Sequence, residues 1–287
     1  MGPDKILPPP GRLPIKAEGR HHLTPSLDQK NERTMKLTLS AGLILLACCL
    51  SQALPQGRVA GGEDAVLGQL PYQAALSIGG SYNCGAVIIA ERYALTALTC
   101  VCSDGKSTPW SANLFGITFG SVDLYTGGKE IRVEEITINP NYNTLKTGLA
   151  LLRLKEPIVF DENVSAVALA SENPPVGAQV DISGFGRTTE SEVNMHRTLQ
   201  VGQAAVLPAR ECRLSYSEDE PRDNDQVLCL GHERRNGICR GDIGGPAVYQ
   251  QQLVGLAGEM LGECGGLLPE RFISIAANYD WIQQHIQ

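Results

Sequence analysis

The sequence predicts a mostly β fold, and three features of its 287 residues carry that prediction. Glycine is frequent, with 31 residues, which is typical of a chain with many tight turns. Short segments alternate apolar and polar residues, as half-buried antiparallel strands do. Helical periodicity is found only at the C-terminus, where a helix is predicted over Asn278–Ile286 with Tyr279, Trp281 and Ile282 on one face.

The predicted strands follow one another along the chain, separated by turns. The run Ala86–Ile89 is continuously apolar, as in the core of a closed barrel. The segment Glu156–Pro175 is predicted to link two halves, and it carries the N-glycosylation sequon Asn163–Ser165. The expected strands are Tyr72–Ile78, Tyr82–Ile89, Tyr93–Val101, Leu114–Phe119, Ile131–Ile138, Leu149–Leu154, Gln179–Ile182 and Leu253–Ala257.

The N-terminal part is predicted to lie outside the folded domain. Residues 1–34 are polar and Pro-rich, which predicts an extension that is disordered or not translated. Residues 35–53 have the pattern of a signal peptide: a basic start, an apolar run and small residues. The alternative is a membrane anchor, which is disfavoured because the apolar run spans about 14 residues and a bilayer needs about 20. Residues 54–58 are then a short propeptide.

Secretion and charge limit the classes of partner and the state of the cysteines. A net charge of −7 without a long run of either sign disfavours nucleic acid and anionic membranes as partners. Cys48 and Cys49 would leave with the signal peptide, so seven of the nine cysteines remain and at least one lacks an internal partner. In an oxidising compartment the others are expected to form disulfides.

A basic residue, Arg58, precedes Val59 and two glycines shortly after the signal peptide. One interpretation is a processing site, at which cleavage after Arg58 frees the amine of Val59. The alternative is an ordinary loop that contains an arginine. The rest of the chain favours the first interpretation.

Six motifs follow one another from Val59 to Gln287. They are Val59–Gly62 with Leu70–Gln73, Cys84–Ile89, Leu95–Cys100, Asn139–Asn143 with Ala150–Leu154, Ile182–Gly186, and Cys239–Pro246 with Tyr279–Ile282. Chymotrypsin/trypsin-like serine proteases have such motifs in the same order, and the chain resembles that family. The resemblance implies an all-β fold of two antiparallel six-stranded β-barrels with a short C-terminal helix, and a trypsin-like domain over residues 59–287.

The resemblance also implies three disulfides, each worth about 2–4 kcal/mol. Cys102 is then left unpaired. One interpretation is a buried or locally mispaired thiol, and the other is a disulfide to a second chain. The implied pairs are Cys84–Cys100, Cys212–Cys229 and Cys239–Cys264.

Acyl transfer in this family needs a serine nucleophile, a histidine base and a buried aspartate that orients the histidine. By resemblance the histidine belongs at Thr99, the aspartate at Gly148 and the serine at Ile243. All three catalytic side chains are therefore expected to be missing. The backbone N–H groups of Gly241 and Ile243 correspond to the oxyanion hole.

The specificity pocket is expected to be degenerate as well. Gly237 replaces the acidic residue at the floor of a trypsin-like pocket. Gly258 and Met260 belong to the wall, and Glu270 replaces a glycine that keeps the pocket open. Met260 and Glu270 are expected to obstruct the mouth of the pocket.

Asp242 is retained from the family pattern, together with Arg58 and Val59. In active relatives the freed N-terminal amine pairs with this aspartate and orders the pocket. We therefore expect a proteolytic switch that orders a binding surface, the alternative being inheritance without use.

Three hypotheses for function follow. The leading one is a secreted, inactive homologue that binds a protein partner (a protease, an inhibitor or a protease substrate) as adaptor, decoy or regulator, without cofactor or metal. The second is an endopeptidase with displaced catalytic residues, and the third is a relic without function. The second is disfavoured because the histidines of the mature chain, His196, His232 and His285, are all expected at the surface away from Thr99.

Overall fold

The computed structural model describes residues 62–103, 106–142, 144–213, 226–232 and 236–286. The predicted extension 1–34, signal peptide 35–53, propeptide 54–58 and cleavage site Arg58–Val59 lie outside the described residues. Within these described ranges, no helix is long and apolar enough to cross a membrane.

The described residues form short strands joined by turns, with very little helix. The helices are α1 (Ala209–Arg213) and α2 (Tyr279–His285), with 3-10 turns at Leu98–Cys100, Ala112–Leu114, Leu145–Thr147 and Ala276–Asn278. The strands are β1 (Glu63–Asp64), β2 (Gln73–Ile78), β3 (Ser81–Ala90), β4 (Tyr93–Ala97), β5 (Phe115–Phe119), β6 (Lys129–Ile138), β7 (Leu149–Leu154), β8 (Ala168–Leu169), β9 (Gln179–Gly184), β10 (Gln200–Val206), β11 (Val227–Gly231), β12 (Pro246–Tyr249), β13 (Gln252–Glu259) and β14 (Glu270–Ser274).

The first barrel closes antiparallel in the order β2-β3-β4-β7-β6-β5. Its interior is filled by side chains with almost no exposure, among them Leu76, Ile88, Leu95, Phe115 and Leu152. Burying a side chain of this size stabilises a fold by about 1.5–3 kcal/mol, so this core is a main source of stability.

The second barrel closes in the order β9-β10-β11-β14-β13-β12, because β9 pairs with both β10 and β12. Strand β1 adds to β10, and β8 runs parallel to β13 from within the predicted linker. The core of the second barrel includes Val180, Ile182, Leu230 and Phe272. The predicted fold of two six-stranded antiparallel barrels with a short C-terminal helix is confirmed.

The predicted strand Tyr93–Val101 is wrong beyond Ala97, where the chain turns into the 3-10 helix Leu98–Cys100. Two contacts explain the change of direction: Leu98 N–H donates to Gly148 O over 2.8 Å, and Val101 N–H donates to Leu98 O over 3.1 Å. This turn brings Thr99 to the junction of the barrels.

A close approach of two backbones fixes that junction. Gly85 N–H on β3 donates to Ile243 O over 2.8 Å. A Cβ on Gly85 would lie only 2.6 Å from Gly245 N, so a side chain there would push the barrels apart. The turn before β12 is therefore held directly against the first barrel.

Candidate functional site

Thr99, the position implied for the catalytic histidine, is exposed on the 3-10 helix Leu98–Cys100. One end of the helix is held by the hydrogen bond from Leu98 to Gly148, and the other by the disulfide from Cys100 to Cys84. The helix thus holds Thr99 beside Gly148.

Gly148, the position implied for the aspartate, has no room for a side chain. A Cβ there would lie 2.6 Å from Leu98 Cδ2 and 3.2 Å from Tyr142 Cγ. Leu98 is completely buried, so a closely packed core restrains it from moving aside. The space beside Gly148 is therefore filled by hydrocarbon and a ring.

Ile243, the position implied for the nucleophile, is half-buried and packs against the hydrophobic clusters of both barrels. Its carbonyl oxygen lies 3.7 Å from Cys100 Sγ. Because Leu98–Cys100 also contacts Gly148, the fold brings the three positions together at the barrel junction.

The backbone at Gly241 is held in a conformation that favours glycine, with φ of 103°. Its carbonyl oxygen accepts a hydrogen bond from Tyr82 Oη over 2.7 Å. Met195 packs against the site where a side chain of Gly241 would begin. Contacts from both barrels therefore fix this peptide next to Ile243.

The expected surface position of His232 is wrong. Its side chain is 2% exposed and its Nε2 lies 3.2 Å from Glu270 Oε1. A buried imidazole needs a polar partner, and the carboxylate supplies one. His285 is exposed and stacks on Trp281, and His196 is half-buried with its N–H bonded to Phe185 O.

The expectation that Glu270 blocks the mouth of the pocket is also wrong, because its carboxylate lies at the floor. Oε1 accepts the N–H of Ile238 over 2.6 Å, and a side chain on Gly237 would collide with this oxygen. Among the described residues Oε2 has no hydrogen-bond partner. Burial raises the pKa of Glu270 and contact with His232 opposes that shift.

The pocket wall is closed from the first barrel. A Cβ on Gly258 would lie 2.7 Å from Lys146 O, and Met260 packs against the core of the second barrel. The backbone of Lys146 therefore lies close to Gly258 at the wall implied for the specificity pocket. The Met260 side chain is partly buried against the core of the second barrel.

An ion-pair cluster of Lys146, Glu259 and Arg271 joins the barrels at this wall. Glu259 Oε2 accepts from Arg271 Nη1 over 2.8 Å, and Oε1 accepts from Lys146 Nζ. The Arg271 side chain is buried, whereas half of Lys146 is exposed. The cluster therefore links Lys146, two residues before Gly148, to strands β13 and β14 of the second barrel.

Asp242 is a buried carboxylate behind the site. It accepts the N–H of Gly186 over 2.7 Å and that of Cys239 over 2.8 Å. Burial raises the pKa of Asp242 to about 7, although both hydrogen bonds lower it. Its implied partner, the amine of Val59, lies outside the described residues.

The chain has the family relationship that its motifs imply. The family model named Trypsin matches residues 59–282. The chain belongs to the trypsin family. A serine protease of Anopheles gambiae, SP24D, is 31% identical over 79% of this chain and 80% of its own length. Trypsin 5G1 of Aedes aegypti is 30% identical over 79% of this chain and 85% of its own.

Solved structures of the trypsin family agree with the architecture. Neuropsin, a serine protease expressed in the limbic system of mouse brain, superimposes with a TM-score of 0.69 at 26% identity. The match covers 79% of this chain and 99% of neuropsin. The two-barrel arrangement is thus that of a trypsin-family protease.

Three disulfides hold this trypsin-family domain, and they are the pairs that the resemblance implies. Cys102 is a free, buried thiol, and burial raises its pKa. It lines a cavity of about 160 Å³ with Thr99 and Lys146. The pairs are Cys84–Cys100, Cys212–Cys229 and Cys239–Cys264.

Potential metal ligands lie together at one place among the described residues of this trypsin-family chain. Glu190, Cys239 and Cys264 have their ligand atoms within 4.8 Å of one another. Both sulfurs are joined in a disulfide, and thiolates are what a metal binds. In the oxidised protein this group is therefore a disulfide with a neighbouring carboxylate.

Two features of the site were not predicted from the trypsin-family motifs: the pair His232–Glu270 and the cluster around Glu259. The sequence did contain one signal, which is charged residues at the ends of two apolar strands. Glu259 is the last residue of β13, and Glu270 and Arg271 are the first two residues of β14. Charged residues are rarely buried unless they are paired, so their partners had to be sought nearby in space.

Proposed function

We propose that this trypsin-family chain is a secreted pseudoprotease that binds a protein partner instead of cleaving one, as adaptor, decoy or regulator of proteolysis. The observation that carries the proposal is the chemistry of Thr99, Gly148 and Ile243, which meet at the barrel junction. A threonine hydroxyl is no base at neutral pH, glycine has no side chain, and isoleucine has no heteroatom.

The side chains that fill the positions implied for the specificity pocket support binding outside the usual substrate site. Glu270 and His232 take up the floor of the specificity pocket. Lys146 and Glu259 join across its wall. A partner protease, inhibitor or protease substrate would then contact the outer surface of the barrels.

Secretion is supported by the three disulfides, which persist in oxidising compartments. The signal-like pattern of residues 35–53 supports it independently. The proposed destination is the extracellular space, with residues 59–287 as the mature domain.

The first test is hydrolysis by protein cleaved after Arg58. We expect almost no turnover of arginyl, lysyl or apolar peptide anilides. The rate should not exceed the uncatalysed rate in water by more than roughly 10³–10⁴-fold, which is the acceleration that an oxyanion hole and binding alone support. Ile243→Ser is expected to stay inactive because it still lacks a base. An active trypsin is the positive control. Turnover near that of the control, retained through repurification, would favour the alternative of an endopeptidase with displaced catalysis.

The second test concerns the proposed switch. Cleavage after Arg58 would place the Val59 ammonium beside Asp242, so between pH 7 and about 8 the cleaved protein is expected to be more stable than Arg58→Gln, by about 3–5 kcal/mol. The gain is expected to decline at higher pH, where the amine loses its proton in the unfolded chain. The difference is expected to shrink as pH falls through about 7, because protonation of Asp242 removes the buried charge from the uncleaved form.

Both forms also serve as baits in the native secretion. A partner retained by the cleaved bait alone supports the switch. Identical thermal melting and identical capture by the two forms would mean that the cleavage site has no role.

A further inference from the structure

We propose that Asn163 carries an N-linked glycan that covers an exposed apolar patch beside it. The inference rests on the proposed secretion, because such glycans are attached inside the secretory pathway. Asn163-Val164-Ser165 is the one sequon in the chain. The binding and switching proposed above make no use of it.

Asn163 lies in a tight surface turn. Asp161 and Val164 exchange backbone hydrogen bonds of 2.9 and 3.3 Å, and Asn163 N–H donates to Asp161 Oδ1 over 2.9 Å. Asp161 and Glu162 are exposed, whereas the Val164 side chain is buried. Within the described part of the chain, the side-chain amide of Asn163 makes no hydrogen bond. Asn163 is half-buried, with Oδ1 on the side of Gly68, so a sugar on Nδ2 would break no side-chain hydrogen bond.

Exposed apolar side chains border this turn. A Cβ on Gly68 would lie 3.0 Å from Asn163 Oδ1 and 3.3 Å from Glu162 O, so the loop that ends at Gly68 touches the turn. These side chains, named the turn patch, are Val66 (67% exposed), Leu67 (54%), Val159 (75%) and Phe160 (37%).

The position of the sequon favours a glycan as the group that covers the turn patch. A contiguous, exposed apolar patch on a monomer marks a surface that something covers. Val66 and Leu67 directly precede Gly68. Val159 and Phe160 directly precede the turn that holds the acceptor asparagine, so the segments that carry these side chains meet at that asparagine. The C–H faces of the first sugars would rest on these side chains and remove apolar area from water.

Attachment of the glycan transfers an oligosaccharide from a lipid carrier to the side chain of Asn163. Asn163 Nδ2 forms a bond to the anomeric carbon of an oligosaccharide carried on a polyprenyl pyrophosphate. The bond from that carbon to the pyrophosphate oxygen breaks, the lipid pyrophosphate leaves with the electron pair, and the amide loses one proton. The lipid-linked oligosaccharide is the only co-reactant.

The full chain expressed in insect cells tests the attachment. We expect the secreted wild-type protein to lose mass on treatment with peptide N-glycosidase, with Asn163 converted to aspartate in the peptide mass spectrum. Asn163→Gln and Ser165→Ala should show no mass loss, and Ser165→Thr should retain it.

The results of this experiment distinguish a failure of the glycan inference from a failure of the proposed secretion. Secreted wild-type protein without a glycan overturns the inference and leaves secretion intact. Protein that stays in the cytosol without a glycan overturns the secretion on which the inference rests. A version with the host's own signal peptide in place of residues 1–53 then decides the glycan separately. Absence of the glycan from that secreted protein also overturns the inference.

Binding of a hydrophobic dye measures whether the glycan covers the turn patch. Secreted Asn163→Gln is expected to enhance the fluorescence of a hydrophobic dye at least twofold over glycosylated wild type. Adding Leu67→Ser should remove most of that gain. The matched control Val193→Ser, an exposed valine in another loop, should leave the gain unchanged. Equal dye binding by the two proteins would show that the glycan does not cover the patch.

Discussion

Gly148→Asp, the change that would place an aspartate where the resemblance implies one, is expected to lower the free energy of unfolding by about 3–5 kcal/mol. The new side chain would meet Leu98 and Tyr142, which already fill the space. Its carboxylate would be buried without a histidine beside it, since position 99 is threonine. Urea denaturation of the purified protein measures the loss.

Two variants separate the causes. Gly148→Asn keeps the steric conflict without the charge, so it should cost less than Gly148→Asp. In Leu98→Ala/Gly148→Asp the truncated leucine leaves room, and the loss should be smaller than the sum of the two single losses. A cost below about 1 kcal/mol for Gly148→Asp would show that the site accommodates a carboxylate. The triple restoration of position 148 with Thr99→His and Ile243→Ser is expected to remain inactive.

Glu270→Ala is expected to cost about 2–4 kcal/mol. The change removes the acceptor of the buried Ile238 N–H and the carboxylate that faces His232. A buried polar group that loses its partner keeps its desolvation cost, whereas an exposed one is solvated by water. Thermal and urea unfolding at fixed pH check the value.

Glu270→Gln and Glu263→Ala are the matched controls. The glutamine keeps a carbonyl oxygen for Ile238 N–H, so its loss should be clearly smaller than that of Glu270→Ala. Glu263 is exposed, and its removal should change stability by less than about 0.5 kcal/mol. Equal stability of Glu270→Ala and wild type would mean that the floor of the pocket is open to water.

Alternating hydrophobicity was enough to predict much of the first barrel. The strand Leu149–Leu154 is observed with its predicted bounds, and the C-terminal helix differs by one residue at each end. The error at Tyr93–Val101 arose because Leu98 and Val101 are apolar and continue the strand pattern. The bond from Leu98 to Gly148, which joins residues distant in the chain, and the local bond from Val101 to Leu98 turn the chain there.

The site was predictable where it depends on motif order and unpredictable where it depends on partners distant in the chain. Thr99 and Ile243 could be placed because each is next to a motif residue, Cys100 or Asp242. Lys146 and Glu259 are 113 positions apart, and neither belongs to a diagnostic motif. Their pairing needs the barrels to be assembled.

The packing of Leu98 and Tyr142 beside Gly148 has an evolutionary consequence. An aspartate introduced at this position would enter a space that its neighbours already fill, so it would destabilise the protein unless those neighbours became smaller. If the proposed loss of catalysis holds, recovery would need smaller neighbours, a base, a nucleophile and an open pocket together, and no single one of these changes would be enough. Selection would then act more readily on the surface of the protein than on this site.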